Sequence, residues 1–245
     1  MTAITAETLP AELHKAADVV TRILAKLDDS SIPEPSELPD WTRGHVLAHL
    51  AGIANAMDRQ LEFARRGETI DLYDGGVQGR TKAIELAAGH SLQEHKQSVE
   101  TALARALSAF DALGPDDWAA RISYRDGTVL DGGLALWREL VIHASDVGLG
   151  YGPETWSRPF CEHLFTFLEA RVPETYKFVL QPTGLPQRVI GHGGTSIAIT
   201  GMLTDIAAWL AGREPSLGSL RATAAADGVD LPDLLPWPAA LPAPR

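Results

Sequence analysis

The chain has one cysteine, Cys161, among 245 residues. An internal disulfide and a cysteine-based metal cluster are therefore both excluded, and any bound metal must be held by histidines and carboxylates. Cys161 lies in the apolar segment RPFCEHLFTFLEA, where a buried structural role is the simpler reading than a nucleophile. No stretch reaches the ~18 to 20 consecutive apolar residues of a membrane span, and MTAITAETLPAELHK lacks the basic and apolar regions of a signal peptide. The expected location is the cytoplasm. Basic residues are also scarce, 21 Lys and Arg against 32 Asp and Glu. The net charge of -11 leaves no cationic footprint for nucleic acid or an anionic membrane. Neither a GxGxxG nor a P-loop fingerprint is present, so no nucleotide is implied.

With 45% hydrophobic and 22% charged residues, the composition is that of a folded globular protein, long enough for two domains. Leu13, Ala16, Val20, Ile23 and Leu27 recur at helical spacing and predict an amphipathic helix over about Leu9 to Leu27. A loop with three prolines, SSIPEPSELPDW, follows. Asp40 is the expected N-cap of a second helix from about Trp41 to Arg66, closed by Gly67 and carrying His45 and His49. After the Gly-rich YDGGVQGR, a third periodic run spans about Gln78 to Leu113, with a break near Gly89. WAARISYRDGTVLDGG reads as an extended loop or short hairpin around Asp126 and Gly127. A fourth helix, about Leu134 to Leu149, carries Glu139 and His143.

Four long helices joined by loops predict an up-and-down bundle over residues 1–151. From 152 to 245 the texture changes to a helix over about Ser157 to Arg171, the β-rich runs YKFVLQP, QRVIG and TSIAITG, and a short helix in MLTDIAAWLAG. This region reads as a smaller α/β domain whose Pro-rich tail, LPDLLPWPAALPAPR, lies against its surface. The expected fold class is α+β.

Residues four apart on a helix differ by about 40° in direction, so His45 and His49 share one face of the second helix and Glu139 and His143 one face of the fourth. Imidazoles with one carboxylate suit zinc or a similar ion, and three ligands leave a position open. Spacing alone does not separate this from helical histidines with no ligand role. Glu139 says more, because it sits among Trp137, Leu140, Val141 and Ile142, where an unpaired carboxylate is costly to bury. A metal relieves that cost, and so does a salt bridge to Arg138 or to an arginine of another helix.

WTRGHVLAHLAG, followed about 90 residues later by LWRELVIHASDVG, resembles the mycothiol-dependent maleylpyruvate isomerase family, whose metal-binding N-terminal bundle belongs to the DinB-like superfamily. The resemblance extends over nearly the whole chain, including the connection with Arg80 and the segment TDIAAWLAGRE. It implies a metal held by His49, Glu139 and His143, with His45 packing behind them or, alternatively, ligating. Asp146, one turn beyond His143, either orients that imidazole or bonds nearby backbone. The resemblance also marks Arg80 and Arg213 as clamps for a dicarboxylate substrate, against the plain reading of both as solvated surface arginines.

The implied cofactors are zinc or another divalent metal and the thiol mycothiol. The implied reaction is thiolate addition to the double bond of maleylpyruvate, rotation in the resulting enolate, and elimination to fumarylpyruvate. The same site is compatible with a mycothiol S-transferase or a metal-dependent hydrolase. A structural metal in a non-enzymatic module is a further alternative.

Overall fold

A computed structural model describes residues 4–225 and 227–238. It comprises two compact units, Thr5–Gly150 and a second built from Tyr151 onward.

The first unit is helical. α1 (Leu9–Leu24) starts with a proline in its first turn, where a missing N–H costs nothing, and buries Leu9, Leu13, Ala16, Val20 and Ile23 along one face. It ends three residues short of Leu27, which is buried all the same. α2 (Arg43–Ala64) is capped by Thr42; Asp40, the expected cap, instead sits in the turn before it with φ 64°. The third periodic run is two helices, α3 (Gly76–Ala88) and α4 (Leu92–Asp111). They part after Gly89 because Ser91 and Glu94 form a reciprocal capping box that restarts the chain.

α5 spans Val129–Asp146 and starts five residues earlier than the sequence predicts. Thr128 and Asp131 cap it reciprocally, and Gly132 and Gly133 lie inside it rather than in a loop. The expected hairpin before it is a single antiparallel bridge, Arg121 with Thr128, around a short 3-10 turn at Tyr124–Asp126. α1, α2, α4 and α5 form the four-helix bundle, with α3 laid on α2. Leu47, Leu50, Met57, Phe110 and Trp137 are among its fully buried side chains.

The Pro-rich loop ahead of α2 is tied to the end of α5. Glu37 N–H donates to the Asp146 carbonyl at 2.8 Å, and Arg43 Nε donates to the Val147 carbonyl at 3.0 Å. These bonds fix the N-terminal half of α2 beside the C-terminal half of α5, the two segments that carry His49, Glu139 and His143.

The second unit pairs α6 (Arg158–Phe167) and α7 (Leu203–Leu210) with a five-stranded sheet in the order β2-β1-β3-β4-β5. β1 (Tyr176–Pro182) and β3 (Thr195–Gly201) are parallel; β2 (Arg188–Ile190), β4 (Arg221–Ala224) and β5 (Asp227–Val229) pair antiparallel. The expected strands form, and β4 and β5 add to them. Phe178, Leu180, Ile197 and Ile199 are buried on the sheet, with α7 packed against β1 and β3. The tail lies on this unit as far as it is described. Leu235 and Arg171 exchange two hydrogen bonds of 2.8 and 2.7 Å, and Trp237 approaches Phe167 at 5.7 Å between ring centres. The rest of the tail, residues 239–245, is outside the described residues. Among the described residues no helix is long and apolar enough to cross a membrane.

Candidate metal centre

His49 sits two turns into α2, and Glu139 and His143 face it from successive turns of α5. His49 Nε2 lies 2.8 Å and His143 Nε2 3.0 Å from the same carboxylate oxygen, Glu139 Oε2. The two imidazoles stand nearly perpendicular, at 89°, with ring centres 4.5 Å apart. One donor atom from each of the three residues falls within 4.8 Å of the other two. The His49 side chain is 4% exposed and that of Glu139 28%, so the cluster is closed around His49 and opens beside the carboxylate.

The second nitrogen of His143, Nδ1, meets Asp146 Oδ2 at 2.8 Å, and Asp146 is itself fully buried. A carboxylate there accepts the Nδ1 proton and fixes the ring so that Nε2 faces Glu139, as outer partners of metal-bound imidazoles do. Trp41 packs edge-on against His49, with ring centres 5.8 Å apart.

Charge follows from these contacts. Burial works to raise the carboxyl pKa of Glu139, but hydrogen bonds from His143 and His49 overcome it and hold the group well below the usual range, ionised at neutral pH. Burial, then the neighbouring His143 charge, pushes His49 down to about 4. For His143 burial acts downward too, yet bonds to Asp146 and Glu139 lift it to about 9. An ionised carboxylate, a neutral imidazole, and a second imidazole whose Nε2 proton a cation can displace make a donor set that fits a divalent metal.

The other residues singled out in the sequence fall into place unevenly. His45 is occupied by the helix cap: its Nδ1 accepts from Thr42 N–H at 3.1 Å and lies 2.7 Å from Thr42 Oγ1, and its Nε2 faces Glu85 at 3.5 Å. It is outside the cluster. His45→Ala is therefore expected to lower stability by about 1 kcal/mol, the usual worth of a capping interaction, and to leave bound metal unchanged. Metal analysis beside a denaturant titration checks this, and a drop in metal would restore His45 as a ligand.

Arg138, the salt-bridge alternative for Glu139, reaches Tyr124 Oη at 3.3 Å. Arg80 joins the site, with Nη2 3.1 Å from His49 Nδ1 and its guanidinium 5.9 Å from the centre of the Tyr73 ring. Burial raises the Tyr73 phenol to about 12, against the opposing charge of Arg80, so it remains protonated. Arg213 lies in the second unit, where Nη1 donates to the Ala211 carbonyl at the end of α7 at 3.0 Å. Burial likewise raises the thiol of Cys161 to about 12 and keeps it unreactive.

A cavity of about 590 Å³ runs beside His49 between α2, α3 and α4, lined among others by Tyr73, Arg80, Asn55, Thr101 and Arg105. The sequence did not single out Tyr73 or Trp41. Trp41 opens the first motif, and Tyr73 precedes the glycines from which α3 starts, Gly75 and Gly76, both at positive φ.

Comparison with known proteins follows the same division. The family model of the mycothiol maleylpyruvate isomerase N-terminal domain matches residues 13–148, and that of the MDMPI C-terminal domain matches residues 155–236. Among solved structures, a crystal structure of the mycothiol-dependent maleylpyruvate isomerase superposes with a TM-score of 0.83 at 20% identity, covering 96% of this chain and 99% of the other. A histidine-to-alanine mutant of that enzyme superposes equally well, with the same identity and coverage. At this identity the likeness establishes the fold. A search of curated proteins returns no match.

Proposed function

The chain belongs to the mycothiol maleylpyruvate isomerase family, and from that premise we propose that it converts maleylpyruvate to fumarylpyruvate, using mycothiol and a divalent cation held by His49, Glu139 and His143. The observation that carries this reading is the meeting of two imidazole Nε2 atoms on one oxygen of an ionised carboxylate. When bound, the cation, zinc on this donor set, would lower the pKa of a coordinating thiol, and mycothiol would supply the nucleophile that adds reversibly to the conjugated double bond.

The chain's own part is to orient and to exclude. Asp146 fixes the ring of His143 through Nδ1, so that its Nε2 is presented in one direction. Trp41 covers His49 and keeps water from that side of the centre. Arg80, at the border of the site and the cavity, has the planar fork that binds a carboxylate through two parallel hydrogen bonds. Beside the double bond its charge would also stabilise the negative charge that thiol addition develops on the substrate. Arg213 as a second clamp rests on the family resemblance alone. An external thiol accords with a chain whose one cysteine is buried and unreactive.

Turnover of maleylpyruvate, followed together with free thiol, tests the proposal. The expected result is formation of fumarylpyruvate that needs mycothiol and leaves its concentration unchanged. Thiol consumed in step with product would make the protein an S-transferase, and turnover without thiol would make it a hydrolase. Absence of turnover with metal bound would return it to a binding module.

A further inference from the structure

The two histidines of the centre treat their outer nitrogens in opposite ways. His143 Nδ1 faces an acceptor, Asp146 Oδ2, at 2.8 Å, whereas His49 Nδ1 faces a donor, Arg80 Nη2, at 3.1 Å. A guanidinium has five N–H donors and no acceptor. The contact with His49 is therefore a hydrogen bond only when Nδ1 is a bare lone pair and the ring proton resides on Nε2, where Glu139 Oε2 accepts it at 2.8 Å. A neutral imidazole that ligates a cation through Nε2 carries its proton on Nδ1 instead. Two donors would then point at each other across 3.1 Å, and a dication on the far side of the ring would add like-charge repulsion.

We infer that a cation on His49 Nε2 and the Arg80–His49 contact exclude each other, so that metal loading turns the Arg80 guanidinium off the imidazole and into the cavity between α2, α3 and α4 as a receptor for a carboxylate. The inference rests on the proposed metal role of His49 and deepens it: the substrate clamp is armed by the metal, and metal binds before the dicarboxylate. The surroundings permit the swing. Arg80 already lines the cavity wall and is only partly buried, and the Tyr73 ring beside it offers a face on which a guanidinium can rest.

The test is side-chain nitrogen NMR on full-length protein labelled in histidine and arginine, stripped with a chelator and titrated with zinc. The expected result is a His49 ring protonated on Nε2 before zinc and on Nδ1 after one equivalent, with the Arg80 guanidinium signals shifting in the same step. Arg80→Gln, whose amide oxygen can accept from Nδ1–H, should bind zinc about ten-fold more tightly in a chelator competition, within the range outer partners of metal ligands command. Arg80→Lys, which keeps a cationic donor, should not gain. A His49 proton already on Nδ1 before zinc would overturn the inference, as would zinc bound with the Arg80 signals unmoved, and both leave the metal centre standing. Failure of the wild-type protein to take up zinc would remove the centre itself and the inference with it.

Discussion

Glu139→Gln is expected to strip the cation from the protein and to lower turnover by more than ~100-fold, beyond the ~10–100-fold that loss of an outer-shell partner costs. Glutamine has the shape of glutamate but no charge, and the charge is what the site is built around. Glu139 Oε2 is the oxygen on which His49 Nε2 and His143 Nε2 converge, and its carboxylate stays ionised against the pull of burial. Because the substitution is isosteric on the open side of the cluster, helical content should remain at the wild-type level. Metal content by mass spectrometry beside circular dichroism checks both halves. Full metal occupancy in the variant would contradict the assignment of Glu139 as a ligand.

Phe110→Ala is expected to lower the unfolding free energy by about 3–5 kcal/mol, the usual cost of emptying a large buried aromatic site. Phe110 is 1% exposed, stacks on Trp118 at 5.9 Å between ring centres, and fills the space left by the absent side chain of Gly133. A Cβ at Gly133 would lie 2.7 Å from Leu9 Cδ2 and 3.0 Å from Phe110 Cε1, so α1, α4 and α5 meet with no slack at this point. The site cannot collapse without moving whole helices, and the void left by truncation should persist. A denaturant titration reads the loss as a lower midpoint at unchanged slope. A loss under about 1 kcal/mol would mean the helices close over the gap.

The same contact explains where the sequence was hard to read. The helix pattern was legible wherever apolar residues recur every three or four positions, as in α1, and the pairs His45–His49 and Glu139–His143 could be placed on helix faces from spacing. The start of α5 was missed because Gly132 and Gly133 look like a loop in isolation. They are glycines because tertiary packing leaves no room for a Cβ, a reason that lies in Leu9, Phe110 and Ile122 and not in the segment itself. The Thr128 and Asp131 capping box was the local signal that outweighs them.

His45 and His49 share a helix face and were inseparable by period. What parts them is a cap: His45 falls three residues after Thr42 and its ring turns back to the helix terminus, while His49, one turn deeper, reaches α5. Strands β4 and β5 are four and three residues long, too short to show alternation, and β5 is exposed throughout. Arg80 could be named from the family resemblance, but its approach to the back of His49 depends on how α3 lies on α2, and no local pattern encodes that.

The most direct test of a thiol-receiving metal centre is X-ray absorption at the zinc edge of the loaded protein, before and after mycothiol. Cys161 is fully buried within α6 and the chain has no other cysteine, so any thiolate sulfur that joins the metal when mycothiol is added must come from the added thiol. The expected result is a first shell of nitrogen and oxygen alone in the loaded protein, and one sulfur at about 2.3 Å once mycothiol is present. A shell that mycothiol leaves unchanged would contradict it.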